Sequence, residues 1–440
     1  MFNCGKRILN LLALTFVLAS SISCNGTSST ATGQHTTGTG GINSESRYDK
    51  AYIVLISIDG FGWDYTERFE IPALDRLIER GVRAESLKPV YPTLTFPNHY
   101  SIATGAYPAE HGIVANRFPH EDPSAWYNYK DRDTVQDGSW YGGEPIWVAA
   151  ERAGMVSAAY FFVGTEAPVD GISPSHWYPY SADVPGNERV DQVLRWLKLP
   201  EERRPHVVTL YFEDVDTASH RYGPDSPENM AAVKEVNGYL SRLLDGIEAL
   251  TVSDEVYVVV VSDHGQSVYR DRSATLVLDE IIDLDGIALV EGGSYAFLFL
   301  DGSDAVRATR IRDTVNEHWQ HGRAWLRAEA PAEWQLGHGA RVADVILQPD
   351  PGYAVLSTAE HLDRLNVGAH GWAPEFRDMH GIFIAAGGRL PSGCTVGTAE
   401  AIEVYPLLLE ILGLPDRRTN RWESALDDLL EPGGAERCRR

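Results

Sequence analysis

The segment PTLTFPNHY, residues 92–100, holds a threonine, Thr95, between an apolar run that ends in Asp59 and an asparagine, Asn116. A threonine hydroxyl is a poor nucleophile at neutral pH, so it does chemistry only where something nearby ionises it. The chain carries candidates for that task. Asp59 ends AYIVLISIDG (51–60), Asp216 and His220 lie in YFEDVDTASHRYGP (211–224), Asp263 and His264 follow VVVVS, and His370 lies in NVGAHG (366–371). A lone aspartate at a strand end is an ordinary turn former. Three carboxylates and three imidazoles, each beside an expected strand end or in a Gly-containing loop, instead supply six ligands suited to two Zn2+ ions. Histidine nitrogen favours zinc over magnesium, which prefers oxygen. Bound to such an ion, the Thr95 hydroxyl would be an alkoxide able to attack phosphorus, while Asn116 could donate to a phosphoryl oxygen.

Such residues need a rigid frame. Residues 51–60 form an apolar β-rich run that reads as a buried strand, and further buried strands are expected at 157–162, 206–213, 256–263 and 380–387. A helix is expected over 73–81 with Gly81 as C-cap. Ser226 and Pro227 open a longer helix whose Val233, Val236, Leu240, Leu243, Leu244 and Ile247 share one face. Buried strands alternating with amphipathic helices predict an α/β fold with a largely parallel sheet covered on both sides. Ligands in such folds gather beyond the strand C-termini, where these polar clusters fall.

The chain has 440 residues, 43% of them hydrophobic, enough for the substantial core of one large globular unit. Its 62 acidic against 38 basic residues give a formal charge of -24, which argues against a stable nucleic-acid complex through a broad basic surface. A bound cation can reverse the local sign, so a nucleotide remains an acceptable ligand.

The N-terminus reads as an export signal, residues 1–23: Lys6 and Arg7 precede an apolar run over 8–19 that is too short to span a bilayer. SISC, residues 21–24, resembles a bacterial lipobox with Cys24 as the acylated residue, although Ser21 stands where leucine is usual. Residues 24–45 then read as a lipid-anchored Ser/Thr/Gly-rich linker, and the expected location is the bacterial cell envelope, facing the periplasm or the surface. In an oxidising compartment Cys394 and Cys438 could pair and clip the C-terminal tail.

Read in order, IDG, PTLTFPNHYSIATGAYPAEHGIVANRF, ERVDQVLRWL, YFEDVDTASHRYGP, SDHG and GAHGW resemble the nucleotide pyrophosphatase/phosphodiesterase family of the alkaline phosphatase superfamily. The likeness runs from about Ile53 to EVYPLLLEILGLP, residues 403–415. It implies an alkaline phosphatase-like α/β fold: a mostly parallel central sheet, helices on both faces and a smaller inserted subdomain. One catalytic domain would span 46–435, with 266–368 as a peripheral subdomain supporting the His370 loop and 436–440 as a tail. The resemblance also implies one zinc on Asp216, His220 and His370, and another on Asp59, Asp263 and His264 with Thr95 bound to it. Asn116 would hold a phosphoryl oxygen, and Phe96, Tyr180 and Tyr211 would enclose a nucleobase. The implied activity is release of nucleoside 5′-monophosphates from phosphodiester or pyrophosphate bonds through a covalent threonine intermediate.

Some positions depart from the family pattern. Residues 162–166 read FVGTE where relatives carry Trp-Pro-Gly, and Asp214, Val215 and Ser219 replace Glu, Pro and Gly around the ligands. A threonine phosphomonoesterase and a phospholipid or lysophospholipid phosphodiesterase share the scaffold, and a zinc-binding surface lipoprotein is the non-enzymatic alternative. The stretch after Phe162 has no Lys or Arg for the added charge of a monoester. His99 and His111 read as structural hydrogen-bonding residues, because a metal-activated Thr95 needs no general base.

Overall fold

The computed structural model of the chain describes residues 38–120, 125–337, 339–418 and 424–438. The expected export signal and the Cys24 anchor lie outside the described residues.

The chain begins its main elements with β1 (Tyr52–Ile58), α1 (Pro72–Arg80), β2 (Gly81–Ala84) and α2 (Thr95–Thr104). It continues through α3 (Ile146–Arg152), β3 (Ser157–Tyr160), β4 (His176–Tyr178), α4 (Gly186–Leu197), β5 (Val207–Phe212), α5 (Asp214–Tyr222), α6 (Pro227–Glu248) and β6 (Val256–Val261). A second group follows: β7 (Ile287–Glu291), β8 (Ala296–Leu300), α7 (Ala305–His318), β9 (Gly322–Leu326) and β10 (Val345–Pro349). The chain then returns with β11 (Phe383–Ala386), β12 (Cys394–Val396) and α8 (Val404–Leu412).

The central sheet has the order β12-β2-β11-β6-β1-β5-β3-β4. β1 pairs in parallel with β5 and β6, whereas β11 is antiparallel to both β2 and β6. Every residue of β1 is buried, and its side chains alternate between two cores. Ile53 and Leu55 meet Tyr100 of α2, Trp147 of α3 and Leu408 of α8; Tyr52, Val54 and Ile56 meet the layer of α1, α4 and α6. Helices therefore cover both faces, as an all-apolar strand requires. α6 starts where Ser226 Oγ accepts from Asn229 N at 3.1 Å and Pro227 occupies the first turn. All six of its apolar stripe residues are buried, each removal from water contributing roughly 2 kcal/mol.

The four strands of the second sheet are antiparallel, in the order β7-β8-β10-β9. Phe297 turns one face of β8 into the main core, against Tyr91. Leu298 and Leu300 turn the other face against Ile311 and Val315 of α7.

Gly81 caps α1 as expected, its N–H bonded to Ile78 O, but with an extended φ of -149° rather than a left-handed one, and it also opens β2. A Cβ there would meet Ala385 O at 2.0 Å, so close strand approach is what demands glycine. The strand expected over 157–162 stops at Tyr160, because Phe161 takes a φ of 59°. Part of the expected tether is docked as well. Thr39 gives its N–H and hydroxyl to Glu151 Oε2 at 2.8 and 2.9 Å, and Asn43 Nδ2 donates to Arg204 O at 2.7 Å. The buried Glu151 carboxylate also accepts from Ser157 N at 2.8 Å and Ser175 N at 3.0 Å, which satisfies its charge. Cys394 and Cys438 are joined by a disulfide with Cα atoms 5.0 Å apart, tying β12 to the chain end.

Glu403, before α8, supplies a pH test. Burial pushes its carboxyl up to about 7, and Oε2 lies buried without a hydrogen bond. The folded value lies above the unfolded one, so its favourable contribution is complete below about pH 4.5 and is lost as pH rises through 7, by up to roughly 3 kcal/mol. Glu403→Gln should flatten this slope and raise stability at about pH 8, as read by urea midpoints at acidic and alkaline pH.

Candidate active site

β6, β1 and β5 are adjacent parallel strands, and each delivers a carboxylate just beyond its C-terminal end: Asp263, Asp59 and Asp216. Asp216 and His220 lie one turn apart on α5, with Nε2 3.3 Å from Oδ1. His370 arrives from a different direction. Residues Gly368–Ala369 pair with Ser267–Val268, and the His370 carbonyl then accepts from Ser294 Oγ beside β8. The second sheet thus buttresses the loop that carries this imidazole.

His370 Nε2 lies 3.1 Å from His220 Nε2 and 3.7 Å from Asp216 Oδ1. His264 Nε2 lies 3.1 Å from Asp263 Oδ2 and 3.4 Å from Asp59 Oδ1, and its ring stacks on His370 at 3.6 Å. Ligand atoms of Asp59, Asp216 and His264 also fall within 4.8 Å of one another, so the two halves of the cluster are contiguous. All six residues expected as metal ligands therefore converge.

Their tautomers suit a cation. Nδ1 of His370 faces Thr93 O at 2.8 Å, Nδ1 of His220 faces Gly368 O at 2.9 Å, and Nδ1 of His264 faces Gly265 O at 3.0 Å. A carbonyl only accepts, so in His370 and His264 Nδ1 carries the proton and the Nε2 lone pair turns inward. Burial holds His264 well below its ordinary value and His370 down to about 4, which keeps both neutral. The carboxylates show the opposite strain. Burial, then Asp263 and Asp216, push Asp59 well above the usual range; burial and Asp216 do the same to Asp263. Asp59 Oδ1 and Asp263 Oδ2 are buried without a hydrogen bond. Orphaned carboxylate oxygens facing unprotonated imidazoles fit one or more divalent cations, which would compensate the buried negative charge.

Thr95 is the first residue of α2, and its Oγ1 lies 3.4 Å from His264 Nε2. Asn116 Oδ1 accepts from Phe96 N at 3.0 Å, which leaves the Asn116 amide nitrogen as its donor end. His99 is fully engaged: Nδ1 donates to Thr95 O at 2.9 Å and Nε2 accepts from Ser57 Oγ at 2.8 Å. His111 is similarly held, by Ser101 Oγ at 2.9 Å and Ile113 N at 3.2 Å.

The aromatic residues divide around the cluster. Phe96 packs on Tyr129 at 5.6 Å, and the half-exposed Tyr180 packs on Phe161 at 5.3 Å and Tyr211 at 6.1 Å. The Tyr211 hydroxyl donates to Asp59 Oδ2 at 2.6 Å, so its polar end serves the carboxylate cluster. Several neighbours escaped sequence reasoning. Glu166 Oε1 accepts from Tyr180 N at 3.0 Å, and Glu213, whose charge comes after burial in raising the pKa of the Tyr180 hydroxyl, is gripped by Arg189 through bonds of 2.6 and 2.7 Å. Tyr129 adds an aromatic ring, and Gln266 reaches Asp216; neither residue stands in a run with helical or strand periodicity that would single it out.

The sequence profile of type I phosphodiesterase / nucleotide pyrophosphatase matches residues 53–373. The chain belongs to this family. It is 31% identical over 385 residues to human ectonucleotide pyrophosphatase/phosphodiesterase family member 1, covering 86% of this chain and 42% of that protein. It is also 31% identical to a pyrophosphatase/phosphodiesterase of Schizosaccharomyces pombe, covering 88% of this chain and 82% of the relative. The chain thus spans less than half of the human relative and most of the yeast one. The solved structure of human ectonucleotide pyrophosphatase / phosphodiesterase 5 superposes with a TM-score of 0.80 at 25% identity, covering 87% of this chain and 100% of that one. The murine counterpart, with a TM-score of 0.78 and 25% identity, covers 84% of this chain and 97% of that one; it was solved as an inactive threonine-to-alanine form in complex with AMP. The fold is accordingly the alkaline phosphatase-like α/β arrangement.

Proposed function

We propose that the protein is an exported, zinc-dependent nucleotide pyrophosphatase/phosphodiesterase that releases nucleoside 5′-monophosphates through a covalent intermediate on Thr95. The observation that carries this reading is the placement of Thr95 Oγ1 3.4 Å from His264 Nε2, at a cluster of unprotonated imidazoles and buried carboxylates. Asp216, His220 and His370 would hold one ion, and Asp59, Asp263 and His264 the other, beside Thr95. Bound there, the ions would lower the pKa of the Thr95 hydroxyl and offset charge on the phosphoryl group. Thr95 Oγ1 then bonds to phosphorus as the bond to the leaving oxygen breaks. Water displaces Thr95 in the second step, returning the hydroxyl and freeing the monophosphate. The Asn116 amide donates to a nonbridging oxygen throughout.

Phe96, Tyr180 and Tyr211 are proposed to enclose the nucleobase; the AMP bound by the murine relative supports a nucleotide ligand. Stacking is worth ~1–3 kcal/mol per base. Tyr180→Ala should therefore raise KM for a nucleotide diester roughly tenfold while leaving kcat on methyl p-nitrophenyl phosphate nearly unchanged; equal effects on both substrates would reject the stacking role. Parallel steady-state rates on a nucleotide diester, a nucleoside monophosphate and a choline phospholipid test the activity itself. The diester should win by orders of magnitude, and a faster monoester or phospholipid reaction would replace this reading.

Residues 46–435 are proposed as the catalytic domain, with 266–368 as a subdomain bracing the His370 loop and 436–440 as the tail. Export and acylation at Cys24 would place the enzyme in the bacterial envelope. Among the described residues no helix is long and apolar enough to cross a membrane. Mass spectrometry of the membrane-bound N-terminus tests this: a mature N-terminus other than acylated Cys24 would reject the anchor.

A further inference from the structure

Gln266 lies two residues after His264 and is only 7% exposed. Its Nε2 sits 2.5 Å from Asp216 Oδ1. An ionised carboxylate oxygen only accepts, so the amide nitrogen must be the group turned toward it. The same Oδ1 lies 3.3 Å from His220 Nε2 and 3.7 Å from His370 Nε2, which makes it the oxygen that Asp216 presents to both imidazoles. The other end of the amide, Oε1, is buried without a hydrogen bond. Gly60 permits the arrangement. At its φ of +67°, a Cβ would come within 3.0 Å of Asp216 Cβ and 3.1 Å of Gln266 Nε2.

The surrounding partners show what this contact adds. Tyr211 holds Asp59, Gly60 N holds Asp263 at 3.2 Å, and backbone carbonyls hold the three imidazoles. Asp216 is held by Gln266. A carboxylate free to rotate would exchange its two oxygens and lose the alignment that a bound ion needs.

We propose that Gln266 is a positioning residue of the metal centre, fixing the Asp216 carboxylate so that Oδ1 faces His220 and His370. This rests on the reading that Asp216, His220 and His370 hold a cation. The orphan Oε1 fits the same role, because the amide is oriented by the carboxylate rather than by its own complete set of hydrogen bonds.

Chelator competition for zinc on the purified protein tests it, with Gln266→Met, Gln266→Asn and Asp216→Asn measured beside the wild type. Methionine keeps the volume without the donor, and asparagine keeps the amide but is one methylene too short to reach. Both Gln266 variants should weaken one of two zinc equivalents roughly 10- to 100-fold and leave the other unchanged, with kcat recovering in excess zinc. Asp216→Asn should weaken the same equivalent. If Asp216→Asn loses that equivalent while either folded Gln266 variant keeps it, the role of Gln266 is overturned and the site survives. If Asp216→Asn keeps both equivalents, the metal assignment itself is overturned.

Discussion

Thr95→Ala should lower kcat on a nucleotide diester by at least about 10⁴-fold while zinc content and fold remain those of the wild type. The size follows from what is removed: the atom that would bond to phosphorus, not a group that adjusts it. The selectivity follows from position. Thr95 sits at the start of α2, and its main chain is held by His99 through a 2.9 Å bond that alanine leaves intact. The six charged and imidazole groups expected to hold metal come from other elements. Thr95→Ser should retain measurable turnover, because the hydroxyl persists and only a methyl is lost. Rapid acid quenching should trap a nucleotidyl adduct on the peptide spanning 92–100 in the wild type and none in the alanine variant. Substantial turnover by Thr95→Ala would move the nucleophile elsewhere, for example to water.

Removing divalent ions with a chelator should reduce activity to background, with zinc restoring it, and should also destabilise the fold. Asp59, Asp216 and Asp263 gather beyond three adjacent strand ends, two of them deeply buried with an oxygen lacking a hydrogen bond. Without a cation, burial and mutual repulsion oppose ionisation of Asp59 and Asp263. An ion held at about 1,000 times its Kd contributes roughly 4 kcal/mol to the native state, or about 5 °C in Tm for a chain of this size. Calorimetry before and after chelation, followed by titration with zinc, magnesium and calcium, should show the largest recovery with zinc. Equal recovery with magnesium would overturn the zinc assignment, because a three-imidazole donor set would then not be deciding the ion.

The carboxylates were legible because they end runs such as VYVVVV, whose β-branched residues announce a buried strand and whose last position marks the ligand side of a parallel sheet. His370 was harder. It reaches Asp216 only after the excursion through β7 to β10, a placement that periodicity does not encode. Strand direction was also hidden at β11, since FIAA buried on both faces reads alike in either orientation. Gly81 was legible as the helix cap, but its need for space was not, because that comes from Ala385, distant in the chain. Glu166, Arg189 and Gln266 went unread for a related reason. Each acts through partners brought close by tertiary structure, and a lone polar side chain carries no pattern until those partners are known.

The docked segment from Thr39 to Asn43 gives the molecule a direction. Its contacts are with Glu151, Ser175 Oγ, the main chain at Val156 just before β3, and the turn that precedes β5. These are the entry ends of β3 and β5, in a run of parallel strands in which the exit ends of β1, β5 and β6 lead to Asp59, Asp216 and Asp263. The segment from Thr39 to Asn43 is therefore fastened at the end of the sheet opposite to the one where the three carboxylates gather, so the groups that hold it and the groups of the candidate site are drawn from different ends of the same strands.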